Sequence, residues 1–393
     1  MSARLKTSSR TVDNPFAFAK KKAINIIGLN SGTSADGLDI ALVRFSGNKN
    51  PEIIKRKTFE FPVELKREII AAGEPENTNG IDWLKLDSDL GRIIGEYARS
   101  FLVSLRRARL DADLIGSHGQ TIRHLPKDFE HPLTLQVGDP SLIASISGLP
   151  VIGDFRRSDL AAGGQGAPLS PVLHQLLFSH QRRWRAIVNI GGISNATILP
   201  PKNSSARLVA GDCGPGNMLS DLAMMKLFSQ PFDENGETAS KGHPPMSVVG
   251  LVLQNRYFEL APPKSTGREL FGQQFLDEVM SRLPQALPED IVATVSEVTV
   301  AGIAEFIKRF GSRTEEIYLC GGGAKNKYFI QRLSQAFPGK KISTTDELGY
   351  DPDHLESLLW AFLALKFVRQ EPIDARYFTG ASKPYIPGKL CLP

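Results

Sequence analysis

Residues 24–45 limit the possible folds more than any other part of the chain. An apolar run at Ile24, Ile26 and Ile27 enters a small, hydroxyl-rich turn, Gly32-Thr33-Ser34-Ala35-Asp36-Gly37, and an alternating run, Ile40-Ala41-Leu42-Val43-Arg44-Phe45, leaves it. The pattern predicts strand, tight turn, strand, with glycines free to take the positive φ of a hairpin tip. A turn alone needs only Gly or Asn. This one adds hydroxyls, free backbone N–H groups and the carboxylates of Asp36 and Asp39, a set suited to an anion and to Mg²⁺ held through water. The chain has no G-x-x-x-x-G-K-[ST] loop, so phosphate binding would fall to the hairpin. Taken alone, the segment serves equally well as a surface hairpin.

The theme recurs. Ala186–Ile190 reaches Gly191-Gly192-Ile193-Ser194-Asn195, and Ala196-Thr197-Ile198-Leu199 leads out. At 393 residues the chain exceeds what one core usually serves. Two related α/β domains facing each other across a cleft are therefore expected. Residues 53–61 predict an edge strand after the first hairpin. Leu84, Leu86, Leu90, Ile93, Ile94, Tyr97, Phe101, Leu102 and Leu105 predict an amphipathic helix over 81–108. Short buried strands are expected at 114–115, 151–153 and 317–320, and helices at 217–228, 326–337 and 352–368. Glycine clusters at 163–166, 191–192, 214–216 and 321–323 fall at strand or turn ends, where backbone can approach a nucleotide closely.

Composition removes several classes. Hydrophobic residues make up 41% and charged residues 23%, ordinary for a globular enzyme. No apolar run approaches the ~18 residues of a membrane span. Cys213, Cys320 and Cys391 are odd in number and far apart, which fits a reducing cytoplasm better than disulfides or zinc. The pI of about 9.0 is no sign of a nucleic-acid partner. Residues 1–22 hold six basic residues (Arg4, Lys6, Arg10, Lys20, Lys21, Lys22) against Asp13. Of the chain's 47 basic and 42 acidic residues, 41 of each remain beyond them. The tail is expected to be disordered; it lacks the apolar region of a secretory signal, and its basic, Ser-containing, acid-poor makeup bears a faint likeness to a transit peptide.

The motifs GLNSGTSADGLDIAL, GSHGQTIRH, GDFRRSDLAAGGQGAPL, VNIGGISN, GDCGPGNML, PPKSTGREL and CGGGAKN occur in order from residue 28 to 326. Together they resemble the anhydro-N-acetylmuramic acid kinases of bacterial cell-wall recycling, and the likeness spans residues 24 to 387. It implies the α/β, two-domain RNase-H-like or actin-like sugar kinase fold with a central cleft. Domain I is then expected over 23–145 plus 360–390, and domain II over 146–359. Mg²⁺ with ATP as cosubstrate, and a homodimer, follow from the same likeness; no nucleic-acid or membrane partner is expected. The implied reaction opens the 1,6-anhydro ring of 1,6-anhydro-N-acetylmuramic acid with water and phosphorylates O6.

The resemblance also implies roles for residues. The catalytic base falls on Asp212; a helix cap for 217–228 is the plainer reading of that residue. Glu356 matches a glutamate that helps bind sugar and water; a solvated helix face is its plainer reading. Thr121, His124, Asp154 and Arg156 would bind the sugar, the Arg being suited to its lactyl carboxylate. Gly32, Thr33, Ser34, Ala35, Asp36, Gly37, Leu38 and Asp39 would contact nucleotide phosphates, as would Gly191 and Gly192. Gly214, Gly321, Gly322 and Gly323 complete the nucleotide set, and Asp36 and Asp39 would support Mg²⁺. His118 and His124 lack metal-ligand spacing. Asn30 and Ala35 depart from the first motif, where Met and a larger apolar residue are commoner. A kinase for another anhydrosugar such as levoglucosan, and an actin- or chaperone-like ATP-driven clamp, are the other readings. Residues 161–166 and the segment before Pro352 are expected as hinges.

Overall fold

The computed structural model describes residues 21–32, 35–47, 49–74, 77–125 and 131–393. Thr33, Ser34 and the basic stretch 1–20 lie outside them.

Thirteen strands form three sheets. The first sheet holds β1 (Ala23–Asn30), β2 (Gly37–Ser46), β3 (Glu52–Glu60), β4 (Leu114–Ser117), β7 (Val151–Gly153) and β13 (Lys389–Cys391). Its order is β13-β7-β4-β1-β2-β3. The second holds β8 (Arg185–Ile190), β9 (Ile193–Leu199), β10 (Val209–Pro215), β11 (Glu316–Cys320) and β12 (Lys341–Thr344), in the order β10-β9-β8-β11-β12. In each, three strands meander antiparallel and two more add in parallel beside the first. The repeated hairpin thus marks a repeated 3-2-1-4-5 strand order, which is the RNase-H-like core expected twice. β5 (Gln120–Leu125) and β6 (Leu133–Val137) form a small separate ribbon.

The helices in chain order are α1 (Val63–Gly73), α2 (Gly80–Arg107), α3 (Pro140–Ser147), α4 (Phe155–Ala161), α5 (Ser170–Phe178), α6 (Met218–Phe228), α7 (Met246–Val252), α8 (Arg256–Glu259), α9 (Arg268–Phe271), α10 (Gln273–Ser281), α11 (Pro288–Phe310), α12 (Lys327–Ala336) and α13 (Leu355–Val368). Asn79 caps α2 by accepting from the Ile81 N–H, one residue from the expected start. Most of the expected α2 stripe is buried, but Leu84 is exposed. Among the described residues, no helix is long and apolar enough to cross a membrane.

Alternation along β1 divides the core. Ile27 and Leu29 face an outer layer that includes α2, whereas Ile24 and Ile26 face an inner layer shared with Ile187, Leu199 and Tyr318 of the second sheet. Helix α13 fills that inner layer, with eleven buried residues distributed all round it. Sheet membership bears on where the two halves meet. β7 belongs to the first sheet, so a break at 145/146 falls too early, and a break at 359/360 cuts through α13. The expected hinge at 161–166 is tied down: Gly164 N–H donates to the Asp159 carbonyl, Gln165 N–H to Thr379 and Ser382 N–H to Ala162.

Two glycines let α13 lie against the sheet. A Cβ on Gly28 of β1 would stand 1.7 Å from the Ser357 carbonyl oxygen, and one on Gly116 of β4 would stand 2.3 Å from that of Trp360. Gly28→Ala should therefore destabilise the protein by about 3 kcal/mol, since backbone must move against backbone. Gly80→Ala, whose Cβ meets nothing within 4 Å, should stay within about 1 kcal/mol of the parent. Denaturant unfolding compares the two; a neutral Gly28→Ala would show that α13 has room to shift.

Candidate active site

Four strand or helix ends converge between the sheets: β1 with Asn30, β8 with Asn189, β10 with Asp212 and the first turn of α13 with Glu356. Asp212 is 6% exposed. Its carboxylate accepts from the Thr266 N–H at 2.9 Å, while its own N–H donates to the Lys264 carbonyl at 3.0 Å. Burial pushes the Asp212 carboxyl up to about 7, against the opposing pull of the Thr266 N–H, Arg156 and Lys264. It caps no helix. A carboxyl poised near neutrality is suited to take a proton from water.

Glu356 is partly buried and accepts from both sheets, from Asn30 Nδ2 at 2.8 Å and Asn189 Nδ2 at 3.4 Å. It is no solvated helix face. Burial raises its carboxyl above the usual range, opposed first by the Asn30 hydrogen bond and then by Arg156. Arg156, on α4, is the cation these acids share: burial lowers its affinity for the proton, and Glu356, then Asp212, then Asp159 oppose that. Its Nε donates to His118 Nε2 at 2.8 Å and its Nη1 to the Gly166 carbonyl at 2.9 Å. His118 is held neutral by burial and by Arg156. Its other nitrogen lies 3.0 Å from the Gly119 carbonyl, so Nδ1 carries the hydrogen and Nε2 accepts. The ring stacks on Trp360 at 4.2 Å between centroids.

Asp159 fixes the loop that faces this cation. It accepts from the Gly166 N–H at 2.6 Å and from the Thr379 and Tyr385 hydroxyls at 2.7 Å each. Next in that loop, Gln165 Oε1 accepts from the Ser265 hydroxyl at 3.1 Å, beside the Thr266 amide that holds Asp212. His124, on β5, meets Thr134 through Nδ1 at 3.2 Å, and its buried Nε2 has no partner. Burial, then Arg156, pushes His124 down to about 3, so the ring is neutral. Thr121 takes the Gln136 amide at 3.2 Å on the same ribbon.

A family model described as Anhydro-N-acetylmuramic acid kinase matches residues 24–392. The chain belongs to the anhydro-N-acetylmuramic acid kinase family. It is 40% identical over 363 residues to the anhydro-N-acetylmuramic acid kinase of Shewanella oneidensis, covering 92% of this chain and 97% of that one. Against the Coxiella burnetii protein of the same name it is 39% identical over 367 residues, covering 93% and 96%. Among solved structures, the ROK hexokinase of Thermus thermophilus covers 87% of this chain at 14% identity and a TM-score of 0.36.

Several residues expected from the anhydro-N-acetylmuramic acid kinase motifs stand elsewhere or face another way. The Asp154 carboxylate lies 3.0 Å from Lys389 and 3.7 Å from Arg157, beside a cavity of about 30 Å³ also lined by Asp87, His118 and Gln136. Ala35 and Leu38 are core residues of the outer layer, leaving only their backbone for a nucleotide. A Cβ at Gly37 would meet the Phe59 carbonyl, one at Gly214 the Phe258 ring and one at Gly323 the Ile190 side chain. Asp36 pairs with Lys66, and Asp39 accepts from the Thr58 hydroxyl at 2.6 Å. Gly32, Gly191, Gly192, Gly321 and Gly322 keep partly or fully exposed backbone. Sequence reasoning missed Asn30, His118, Asn189, Trp360 and Thr266. The last lay within the quoted PPKSTGREL run, whose polar centre after two prolines was the available signal.

The raised Asp212 carboxyl has a consequence for stability. Its folded pKa lies above its unfolded value of about 3.9, so its contribution is most favourable below that value and is lost as pH rises to about 7. Asp212→Asn keeps an acceptor for Thr266 without the charge. Its Tm should exceed that of the parent at pH 8, and the gap should shrink toward pH 4.5. A gap independent of pH would show that Asp212 ionises as an ordinary carboxylate.

Proposed function

We propose that this family member converts 1,6-anhydro-N-acetylmuramic acid, ATP and water into N-acetylmuramate 6-phosphate and ADP. The observation that carries the reading is the meeting of Asp212, Glu356 and Arg156 between the two sheets, with Asp212 held near neutrality. Water attacks the anomeric carbon and gives its proton to Asp212. The C1–O6 bond breaks, and O6 takes the γ-phosphoryl group as ADP leaves. Glu356, already gripped at both oxygens, orients sugar and water. Arg156 and the unpartnered His124 Nε2 bind the sugar's carboxylate or hydroxyls, with Thr121 beside them.

The nucleotide phosphates fall in this reading to the backbone of Gly32–Asp39 and of Gly191–Gly192, and the base or ribose to Gly321–Gly322. Asp36 of the hairpin faces Asp221 of α6, whose carboxyl is pushed up to about 7 by burial and then by Asp36 and Asp233. An acid whose charge is disfavoured in this way suits a cation beside it. Among the described residues no three acidic, His or Cys groups form a metal cage, which fits Mg²⁺ carried largely by phosphates and water. Asp36 and Asp39 would support it, Asp39 through the oxygen not engaged by Thr58. When bound, Mg²⁺ neutralises phosphate charge during transfer.

ADP release with ATP and Mg²⁺ should depend on 1,6-anhydro-N-acetylmuramic acid and be much weaker with levoglucosan; release independent of any sugar would instead favour the clamp. The reaction needs Asp212 ionised, so kcat/KM should rise with pH around a midpoint near 7. Asp212→Asn should lower kcat by about 10²–10⁴-fold, the usual share of a general base. Near-parental turnover would remove Asp212 from that role.

A further inference from the structure

Asn30 stands at the end of β1, 5% exposed, where the motif more commonly has Met. Its Oδ1 accepts from the Trp360 indole N–H at 2.8 Å, and its Nδ2 donates to Glu356 Oε2 at 2.8 Å. An indole N–H can only donate, so the amide oxygen must face Trp360 and the amide hydrogens must face the carboxylate. Trp360 and Glu356 lie one turn apart on α13, and the amide bridges them. The opposite oxygen, Oε1, meets Asn189 Nδ2 from β8 at 3.4 Å. The other charged or titratable groups facing the carboxylate are Arg156 from α4, Asp39 from β2 and the Cys320 thiol from β11.

We propose that Asn30 is a positioning residue for Glu356, its amide locked by the Trp360 indole so that it holds the carboxylate in one orientation and in its charged form. Met at this position offers no donor. The carboxylate would then keep only the longer Asn189 contact, and the indole N–H would lose its acceptor. Asn30 therefore supplies a constraint that acts through Glu356 rather than on the sugar. This inference rests on the reading of Glu356 as a group that orients sugar and water.

A double-mutant cycle with Asn30→Met and Glu356→Ala tests it, using full-length protein throughout. In denaturant unfolding, the two changes should couple by about tenfold or more in the unfolding constant, as expected for a hydrogen bond to a charged group. In steady-state assays with 1,6-anhydro-N-acetylmuramic acid, Asn30→Met alone should lower kcat several-fold and leave KM for ATP unchanged, and in the Glu356→Ala background it should lower kcat no further. Trp360→Phe, which removes the hydrogen that orients the amide, should reproduce part of the kcat loss. Additive effects in unfolding, or an equal kcat loss from Asn30→Met in both backgrounds, would overturn the inference. Parental protein without sugar-dependent turnover would instead overturn the reading of function, and the unfolding cycle would still decide whether Asn30 holds Glu356.

Discussion

One carboxylate joins the two halves of this protein. Glu356 sits in the first turn of a helix packed into both sheets, and its two oxygens accept amides from the ends of β1 and β8, the first strand of each repeat. A carboxylate there also complements the helix dipole. The helix can bring it there only because Gly28 and Gly116 let backbone touch backbone. The packing of α13 and the chemistry of the cleft are thus one constraint. A displacement of the helix would move Glu356, Trp360, the His118 ring stacked on Trp360 and the Arg156 guanidinium bonded to His118.

The repeated strand-turn-strand pattern was legible because period-two alternation and glycine tips are local signals, and both sheets grew from it. Helix α2 and the edge character of β3 were legible for the same reason. The domain boundary was not. β7 is three residues long, and nothing local tells which sheet such a strand joins; the order β4-β7-β13 is a tertiary fact. Ala35 and Leu38 illustrate a second limit. They belong to a motif expected to contact nucleotide, yet strand alternation turns the Leu38 side chain into the core, and the turn before β2, where Ala35 has φ 54°, places Ala35 there too. Asn30 illustrates a third: it read as a departure without consequence, because its partners Glu356 and Trp360 lie more than 300 positions away.

Arg156 is shared by three acids of the cleft, and Lys264 also acts on Asp212. Asp212, Glu356 and Asp159 are all raised by burial, and Arg156 opposes the rise in each. A single guanidinium cannot hold three buried carboxylates in the ordinary range. The protein compensates with neutral donors: amides for Glu356, hydroxyls and a backbone N–H for Asp159, and a backbone N–H for Asp212. Hydrogen bonds of this kind favour the charged form without adding a counter-charge that would bind the base too tightly to leave it useful.

The neutral donors are not independent of each other. Asp159 pins Gly166, whose carbonyl receives Arg156. The neighbouring Gln165 receives Ser265, and the next residue, Thr266, donates to Asp212. The glycine-rich loop forms a continuous path from a buried acid in one half of the chain to the base in the other. Glycine is required in it because a Cβ at Gly164 would stand 2.1 Å from the Asp159 carboxylate. The loop's glycines therefore answer to close approach. Burial raises the proton affinity of Asp212, and the Gln165–Ser265 hydrogen bond ties residues 163–166 to the segment whose Thr266 N–H opposes that rise.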